Sequence, residues 1–325
     1  MKKFVLKKLL SSFVLLILIT MAVFALTHMQ PGNPYLDRLG PDVSAEQFEQ
    51  MLVKLGYYDP IWLKYLKWLR QVISGDLGYS IKHGQPVIML IKKYLLHSIV
   101  LVSVSFVLSS IAGIAIGIKA GGGSKWFKNI VQSSSIALLS LPSFFMGILF
   151  IKWFAYDLKL LPASGMYSLK ISSSAPFVDV FVDRIAHMIL PVAVLMLMNI
   201  PAIVQFTMTN MERELRSDYI RTAKSKGIGR KAILWKHAFR NMAIPIVALL
   251  SLQAPMVFSG AMITETIFSY PGMGKLGFDA VLGRDYPLIM GVLLVNTVVV
   301  VVVNFCADFI YALIDPRIRL VKGSE

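Results

Sequence analysis

The most distinctive polar stretch of this chain consists of residue types suited to contact with a partner. Residues 218–227, Asp-Tyr-Ile-Arg-Thr-Ala-Lys-Ser-Lys-Gly, are polar and basic, and they lie between two long segments without charge. Ser217 is of a type that caps helix N-termini, and Gly227 and Gly229 are of the type that ends helices. The pattern predicts a short helix, a glycine turn and a second helix that starts near Arg230. Such an element suits a rigid docking contact.

Residue patterns for enzymatic chemistry are absent from the sequence. No Gly-x-x-x-x-Gly-Lys-Ser/Thr phosphate loop occurs, and residues 121–125, Gly-Gly-Gly-Ser-Lys, do not meet the pattern. The five histidines are scattered singly and there is one cysteine. These spacings favour neither a metal site nor a disulfide framework. We expect no cofactor, no metal and no ATP hydrolysis by this chain alone.

Composition and charge spacing indicate a membrane protein. The chain is 56% hydrophobic and 16% charged, whereas soluble domains carry about 25% charged residues. Six windows of at least 22 residues contain no Asp, Glu, Lys or Arg, and a spanning helix needs about 20 apolar residues. We predict an all-α polytopic membrane protein with six transmembrane helices, at about 9–28, 96–118, 130–151, 187–208, 243–263 and 288–311.

The basic residues predict the orientation of these spans. Of the 33 Lys and Arg residues, 19 fall in segments that share one side of the membrane, whereas 12 of the 18 acidic residues fall outside those segments. Because basic residues accumulate on the inner side, we place both termini in the cytoplasm. The net charge of +15 then reflects orientation in a lipid bilayer, and we expect no nucleic-acid partner. The predicted parts are an N-terminal transmembrane helix (1–28), an extracytoplasmic helical loop region (29–94), a five-helix core (95–312) with a cytoplasmic loop at about 209–242, and a cytoplasmic tail (313–325).

The external region is too long to be a mere connector between two spans. Ser44 and Gln47 have the spacing of a capping box, which predicts a helix to about Leu55, and Pro60 precedes a second helical pattern to Leu69. The region is either a docking surface for an external partner or a cap on the helical bundle.

Small and polar residues within the spans each have two interpretations. Gly113 and Gly117 allow close helix packing, within the chain or with another subunit. Polar side chains in membrane spans are costly. They either line a path for a polar solute or hold helices together by hydrogen bonds. The candidates for a pathway lining are Asn199, Gln205, Gln253 and Asn296.

The polar stretch resembles the EAA loop of permease subunits from binding-protein-dependent ABC importers. Residues 221–227 are similar to the core of that motif, and residues 236–245 to its downstream half. Arg221 and Thr222 stand where the general motif has Glu and Ala, so a Glu salt bridge cannot be assumed. Further blocks, in order, resemble the first permease type of the oligopeptide, dipeptide and nickel branch: 75–80, 141–144, 161–165, 271–274, 284–287 and 315–319.

This resemblance implies a type I ABC importer permease fold in the bacterial inner membrane. The expected partners are a second homologous permease chain, two cytoplasmic ATPase subunits that hold ATP and Mg, and an extracytoplasmic solute-binding protein. The loop would enter a cleft of one ATPase as a coupling helix. The residues expected at that contact are Asp218, Tyr219, Arg221, Thr222, Ala223, Lys224, Lys226 and Gly227.

The implied function is a transmembrane pathway subunit for oligopeptide or dipeptide import. Within the family that the sequence resembles, the substrate could instead be nickel or a metal chelate. From the residues alone, the chain could act as a stand-alone channel, a secondary carrier or an assembly scaffold without a pathway, and the basic stretch could be an ordinary positive-inside loop.

Overall fold

The computed structural model describes the backbone of residues 2–29, 44–168 and 175–314, without the side chains of 2–9, 256–260, 308 and 311–314. Within these ranges the chain is helical, and its extended pairing is limited to an isolated bridge between Tyr79 and Pro86. The block 315–319 and most of the expected tail lie outside the described residues. So do residues 30–43 of the external region.

Helices α1 to α12 follow one another along the described chain. They are α1 Lys2–His28, α2 Ala45–Lys54, α3 Ile61–Ile73, α4 Val87–Gly121, α5 Lys125–Ser140, α6 Ser143–Phe150, α7 Phe177–Leu215, α8 Asp218–Ser225, α9 Arg230–Ala232, α10 Phe239–Ile267, α11 Met273–Leu282 and α12 Tyr286–Ile314. π-Helical segments follow α6 (Ile151–Asp157) and join α9 to α10 (Ile233–Ala238). By length and composition, five helical stretches can cross a membrane, and a bent pair makes a sixth. The predicted all-α architecture is confirmed, and the five or six candidate spans agree with the predicted six.

The bent pair corrects one predicted span. The segment 130–151, expected as one helix, is divided between α5 and α6, with a bend of 98°. Pro142 has no backbone N–H and disfavours a helical conformation of the residue before it. Leu141 accordingly takes an extended conformation, with φ −89° and ψ 129°, and α5 ends there.

The other intramembrane prolines do not end their helices. Pro191 and Pro201 lie inside α7, and Pro245 and Pro255 lie inside α10. Helix α7 has 39 residues and extends beyond the predicted span at both ends. Its first eight residues include Asp179, Asp183 and Arg184, so a window limited to uncharged residues misses this part of the helix.

The chain divides into two compact units. The first comprises Met1–His97 and Gly272–Val301, so it holds α1 to α3, the start of α4, α11 and most of α12. The predicted capping box is confirmed at the start of α2. There the Ser44 hydroxyl accepts from the Gln47 backbone N–H, and the Gln47 side chain accepts from the Ser44 N–H. Helix α3 packs on α1, where Tyr65 and Thr20 share a 3.0 Å hydrogen bond between hydroxyl oxygens.

A fully buried carboxylate organises the loop before α4 in this unit. Asp285 stands directly before α12 and is 0% exposed. Its Oδ2 accepts from the Ser80 hydroxyl at 2.5 Å and from the Lys82 backbone N–H at 3.0 Å. Its Oδ1 accepts from the Leu288 backbone N–H at 3.2 Å. Because these bonds satisfy the buried charge, the carboxylate fastens the loop to the first turn of α12.

The second unit comprises Ser98–Pro271 and Val302–Glu325. Here α4 packs on α7 through glycines. A Cβ built on Gly113 would lie 2.8 Å from the Ile203 Cβ, and one on Gly117 would lie 2.6 Å from the Thr207 Cβ. The sequence left open whether these glycines pack within the chain or against another subunit. In the structure they allow close packing within the chain.

Candidate functional site

The polar stretch forms helix α8, as its sequence predicts. Ser217 holds the N-cap position, with φ −70° and ψ 153°, but its hydroxyl donates backwards to the Glu214 carbonyl at 2.6 Å. The expected position is confirmed, and the expected capping bond is not. The hydroxyl instead links the start of α8 to the end of α7.

A glycine ends α8 in a left-handed turn. Gly227 has φ +74°, a conformation that glycine adopts without a steric penalty. Its N–H donates to the Lys224 carbonyl at 2.9 Å, and the next N–H, of Ile228, reaches the Ala223 carbonyl at 3.2 Å. This pair of bonds is a Schellman motif, and it turns the chain towards α9.

The underside of α8 is buried against three long helices. Ile220 is 0% exposed and Ala223 is also buried. Ile220 belongs to a cluster with Ile118 of α4, Met211 of α7 and Met242 of α10. Because protein interiors are close-packed, a displacement of α8 must be accommodated by these neighbouring helices.

The opposite face of α8 carries the exposed polar residues. Arg221 lies 3.3 Å from Asp218, measured from Nη1 to Oδ1, and both side chains are largely exposed. An exposed pair of this kind contributes little to stability, so both charges are accessible to a partner. Thr222, Lys224 and Lys226 are exposed as well.

Tyr219 lies between the two faces. Its hydroxyl donates to Oε2 of Glu214 at 2.6 Å. Burial and this carboxylate raise the pKa of Tyr219 above its ordinary value. The tyrosine therefore stays a hydrogen-bond donor at neutral pH.

Two polar contacts link the surroundings of α8 to neighbouring helices. The Arg230 guanidinium donates to the Gly122 carbonyl, just after the end of α4. Lys128 Nζ of α5 lies 2.6 Å from a carboxylate oxygen of Glu212 in α7. These contacts make the region around α8 a connected assembly of α4, α5, α7 and α9.

The four amides proposed as pathway-lining residues lie on three helices, α7, α10 and α12. Asn199 Nδ2 donates to the Leu195 carbonyl of its own helix at 2.7 Å. Gln205 is half-buried six residues further along α7, a spacing that places the two on different faces. Gln253 in α10 has a buried Oε1 without a hydrogen-bond partner in the described structure. Asn296 is half-buried in the first unit, and the pathway role of all four stays a prediction.

Comparison with known proteins identifies the family. A model described as "Binding-protein-dependent transport system inner membrane component" matches residues 113–320. The chain belongs to this family. A second model, for the N-terminal part of such membrane components, matches residues 1–102. The fold is therefore that of a type I importer permease, located in the inner membrane.

Relatives of this permease match over almost their entire length. "Oligopeptide transport system permease protein AppB" of Bacillus subtilis (strain 168) is 35% identical, covering 98% of this chain and 100% of that protein. "Dipeptide transport system permease protein DppB" of Escherichia coli (strain K12) is 34% identical, covering 94% and 95% respectively. DppB of Alkalihalophilus pseudofirmus is 33% identical over 98% of this chain. Sequence resemblance and comparison thus agree on the permease family.

One buried acidic residue of the permease was missed by sequence reasoning. Glu265 is 0% exposed near the end of α10, and the Ser98 hydroxyl donates to its Oε1 at 2.5 Å. It stands directly after the uncharged residues 241–264, so the predicted span at 243–263 does not include it. Burial, followed by the nearby Glu265 charge, raises the pKa of Tyr270 to about 12. The run Thr-Glu-Thr directly before Ile267 is compatible with a helix, and this could have indicated that α10 continues through Glu265.

Proposed function

We propose that this permease is a transmembrane pathway subunit of an ATP-driven importer for oligopeptides or dipeptides, coupled to its ATPases through α8. The coupling role rests on one observation, which is that α8 has a buried apolar face and exposed charged residues. Its buried face, with Ile220, packs on three long helices, and its opposite face presents exposed charges. A coupling element needs both properties, because a partner must bind it and the spans must respond.

The assembly follows from family membership. A binding-protein-dependent system requires a solute-binding protein and ATPase subunits. We place α8 on the cytoplasmic side because the loop is strongly basic, so two ATPases bind below and the binding protein delivers solute from outside. A second, similar permease chain completes the pathway. The chain has no phosphate loop, which fits a subunit that receives its energy from a partner.

Peptides are the supported substrate class. The two most informative relatives are named as oligopeptide and dipeptide permeases, which favours peptides over the nickel alternative. A direct comparison uses liposomes that contain the complete transporter and its binding protein. We expect ATP-dependent uptake of a labelled di- or tripeptide, and no uptake of nickel ion.

The coupling role is tested by charge reversal on the exposed face. Lys224→Glu together with Lys226→Glu should lower peptide-stimulated ATP hydrolysis and uptake by about tenfold or more, since an unfavourable charge at an interface costs several kcal/mol. Lys54→Glu, a reversal of an exposed lysine on α2, is the control and should leave ATPase binding unchanged. Normal uptake and normal ATPase binding in the double variant would refute the assignment of α8.

A further inference from the structure

The first unit contains a cavity that the transport function leaves unexplained. It has a volume of about 410 Å³ and lies between the end of α1, the turn from α2 to α3, and the first turns of α12. Its wall is part apolar, with Phe24, Trp68, Leu77 and Met290, and part charged, with Asp59, Lys64 and Lys67. We call it the interfacial cavity because it lies where two candidate membrane spans end.

The cavity lies at the depth where two spans end. The candidate span of α1 is Leu10–His28 and that of α12 is Tyr286–Ala307. Both terminal residues, His28 and Tyr286, line the cavity. Since the ends of membrane spans lie near the lipid headgroups, the cavity is at the membrane–water interface. The tryptophan and tyrosine side chains around it are typical of this depth.

Two hydrogen-bond donors at the cavity have no hydrogen-bond acceptor among the described residues. The Nε1 of Trp68 is buried and has no hydrogen-bond acceptor within the described residues. A buried indole N–H usually finds an acceptor. Lys64 Nζ lies 5.1 Å from the centre of the Tyr57 ring, and within the described ranges it forms no ion pair. Burial lowers the pKa of Lys64, as expected for an ammonium partly removed from water.

The charges around the cavity favour an anion. The carboxylate of Asp59 is engaged by Lys67, with Nζ and Oδ2 2.5 Å apart. Asp59, Lys64 and Lys67 together carry a formal charge of +1. The cavity thus combines an unpaired ammonium, an unsatisfied N–H and an apolar wall.

We propose that the interfacial cavity binds the headgroup of an anionic phospholipid. A phosphate oxygen accepts from Trp68 Nε1 and from the Lys64 ammonium, and the glycerol and first acyl carbons lie against Phe24 and Leu77. Phosphate is concentrated at this depth in every bilayer, so a lipid fits better than a dissolved anion. A zwitterionic lipid fits less well. The ammonium of its headgroup would face the Lys64 ammonium, and the acidic group at the site, Asp59, is already paired with Lys67.

The experiment measures lipid retention by the full-length chain in detergent, by native mass spectrometry after exposure to phosphatidylglycerol or phosphatidylcholine. The wild-type chain should retain phosphatidylglycerol selectively. Lys64→Gln should lower that retention about fivefold, as expected for one basic residue near a membrane surface. Trp68→Phe keeps an aromatic ring and removes the donor, and it should lower retention by roughly tenfold. Lys54→Gln, on exposed α2, is the matched control and should leave it unchanged.

Three results would overturn the proposal. One is equal retention of the two lipids by the wild-type chain. Another is a loss in the Lys54→Gln control as large as that in the Lys64→Gln variant, which would indicate general attraction. The third is displacement of bound phosphatidylglycerol by millimolar glycerol phosphate, which would indicate a site for a soluble phosphate. Because transport is not measured, failure here would leave the coupling role of α8 intact.

Discussion

The turn that ends α8 provides a sharp test of the coupling loop. Gly227 has φ +74°, and Gly229, two residues later, has φ −64°. An added Cβ would meet nothing within 4 Å at either position. A side chain at Gly227 therefore differs from one at Gly229 only in its backbone conformation, and steric contact plays no part.

The expected cost follows from that conformation. An L-residue in the left-handed region costs roughly 1–2 kcal/mol, so Gly227→Ser should weaken the end of α8 by about this amount. Gly229→Ser introduces the same side chain at negative φ, in an N-cap position that serine favours. Gly227→Asn should have an intermediate effect, because asparagine tolerates the left-handed region.

Hydrogen exchange reports this difference locally. The N–H groups of residue 227 and Ile228 close the turn, and a loss of 1–2 kcal/mol should raise their exchange by about 5- to 30-fold. We expect this increase for Gly227→Ser and no increase for Gly229→Ser. In the assembled transporter, peptide-stimulated ATP hydrolysis should fall in the same order. Equal exchange in the two serine variants, or an asparagine variant as mobile as the serine variant, would refute the reasoning.

Three further substitutions test the packing around this loop and in the first unit. Gly117→Ala places a Cβ 2.6 Å from that of Thr207, and the overpacking should cost about 1–3 kcal/mol, seen as a lower melting temperature in detergent. Ile220→Ala removes a fully buried side chain at a cost of about 2–5 kcal/mol, so exchange in α8 should rise, whereas Lys224→Ala should leave it unchanged. Asp285→Asn replaces a carboxylate that accepts three hydrogen bonds and should destabilise the chain by about 1–3 kcal/mol. An unaltered melting temperature for Gly117→Ala or Asp285→Asn, or slow exchange in the Ile220→Ala variant, would contradict the packing described.

The sequence locates the spans because charge is excluded from the membrane interior, and it misplaces their ends for the same reason. Helix α4 begins at Val87, but the predicted span begins only at 96, because Lys92 and Lys93 lie inside the helix and the uncharged window starts after them. Both lysines are exposed, and long basic side chains extend readily towards the interface. A charged residue thus ends a hydrophobic window without ending a helix.

Buried charges are the part that local sequence cannot predict. Asp285 and Ser80 lie in two blocks recognised separately along the chain, yet only the fold brings them within 2.5 Å. Glu265 and Ser98 are likewise 167 positions apart. A charge that would be costly in the interior is made acceptable by distant donors, and a window of neighbouring residues contains no information about them. By contrast α8 begins after Ser217 in the N-cap position and ends at the left-handed turn of Gly227, so local residue types predict its limits.

The connection from α8 into the membrane helices depends on shape more than on charge. Ile220 packs with Ile118 and Met211, and a Cβ on Gly121 would lie 2.8 Å from the Met211 Cβ. The cluster under α8 is therefore continuous with the glycine contacts that hold α4 against α7. A contact made by glycine leaves no flexible side chain to absorb a shift, and close-packed interiors transmit strain. We infer that a push on α8 moves α4 and α7 together, which would make a glutamate salt bridge at Arg221 unnecessary for coupling.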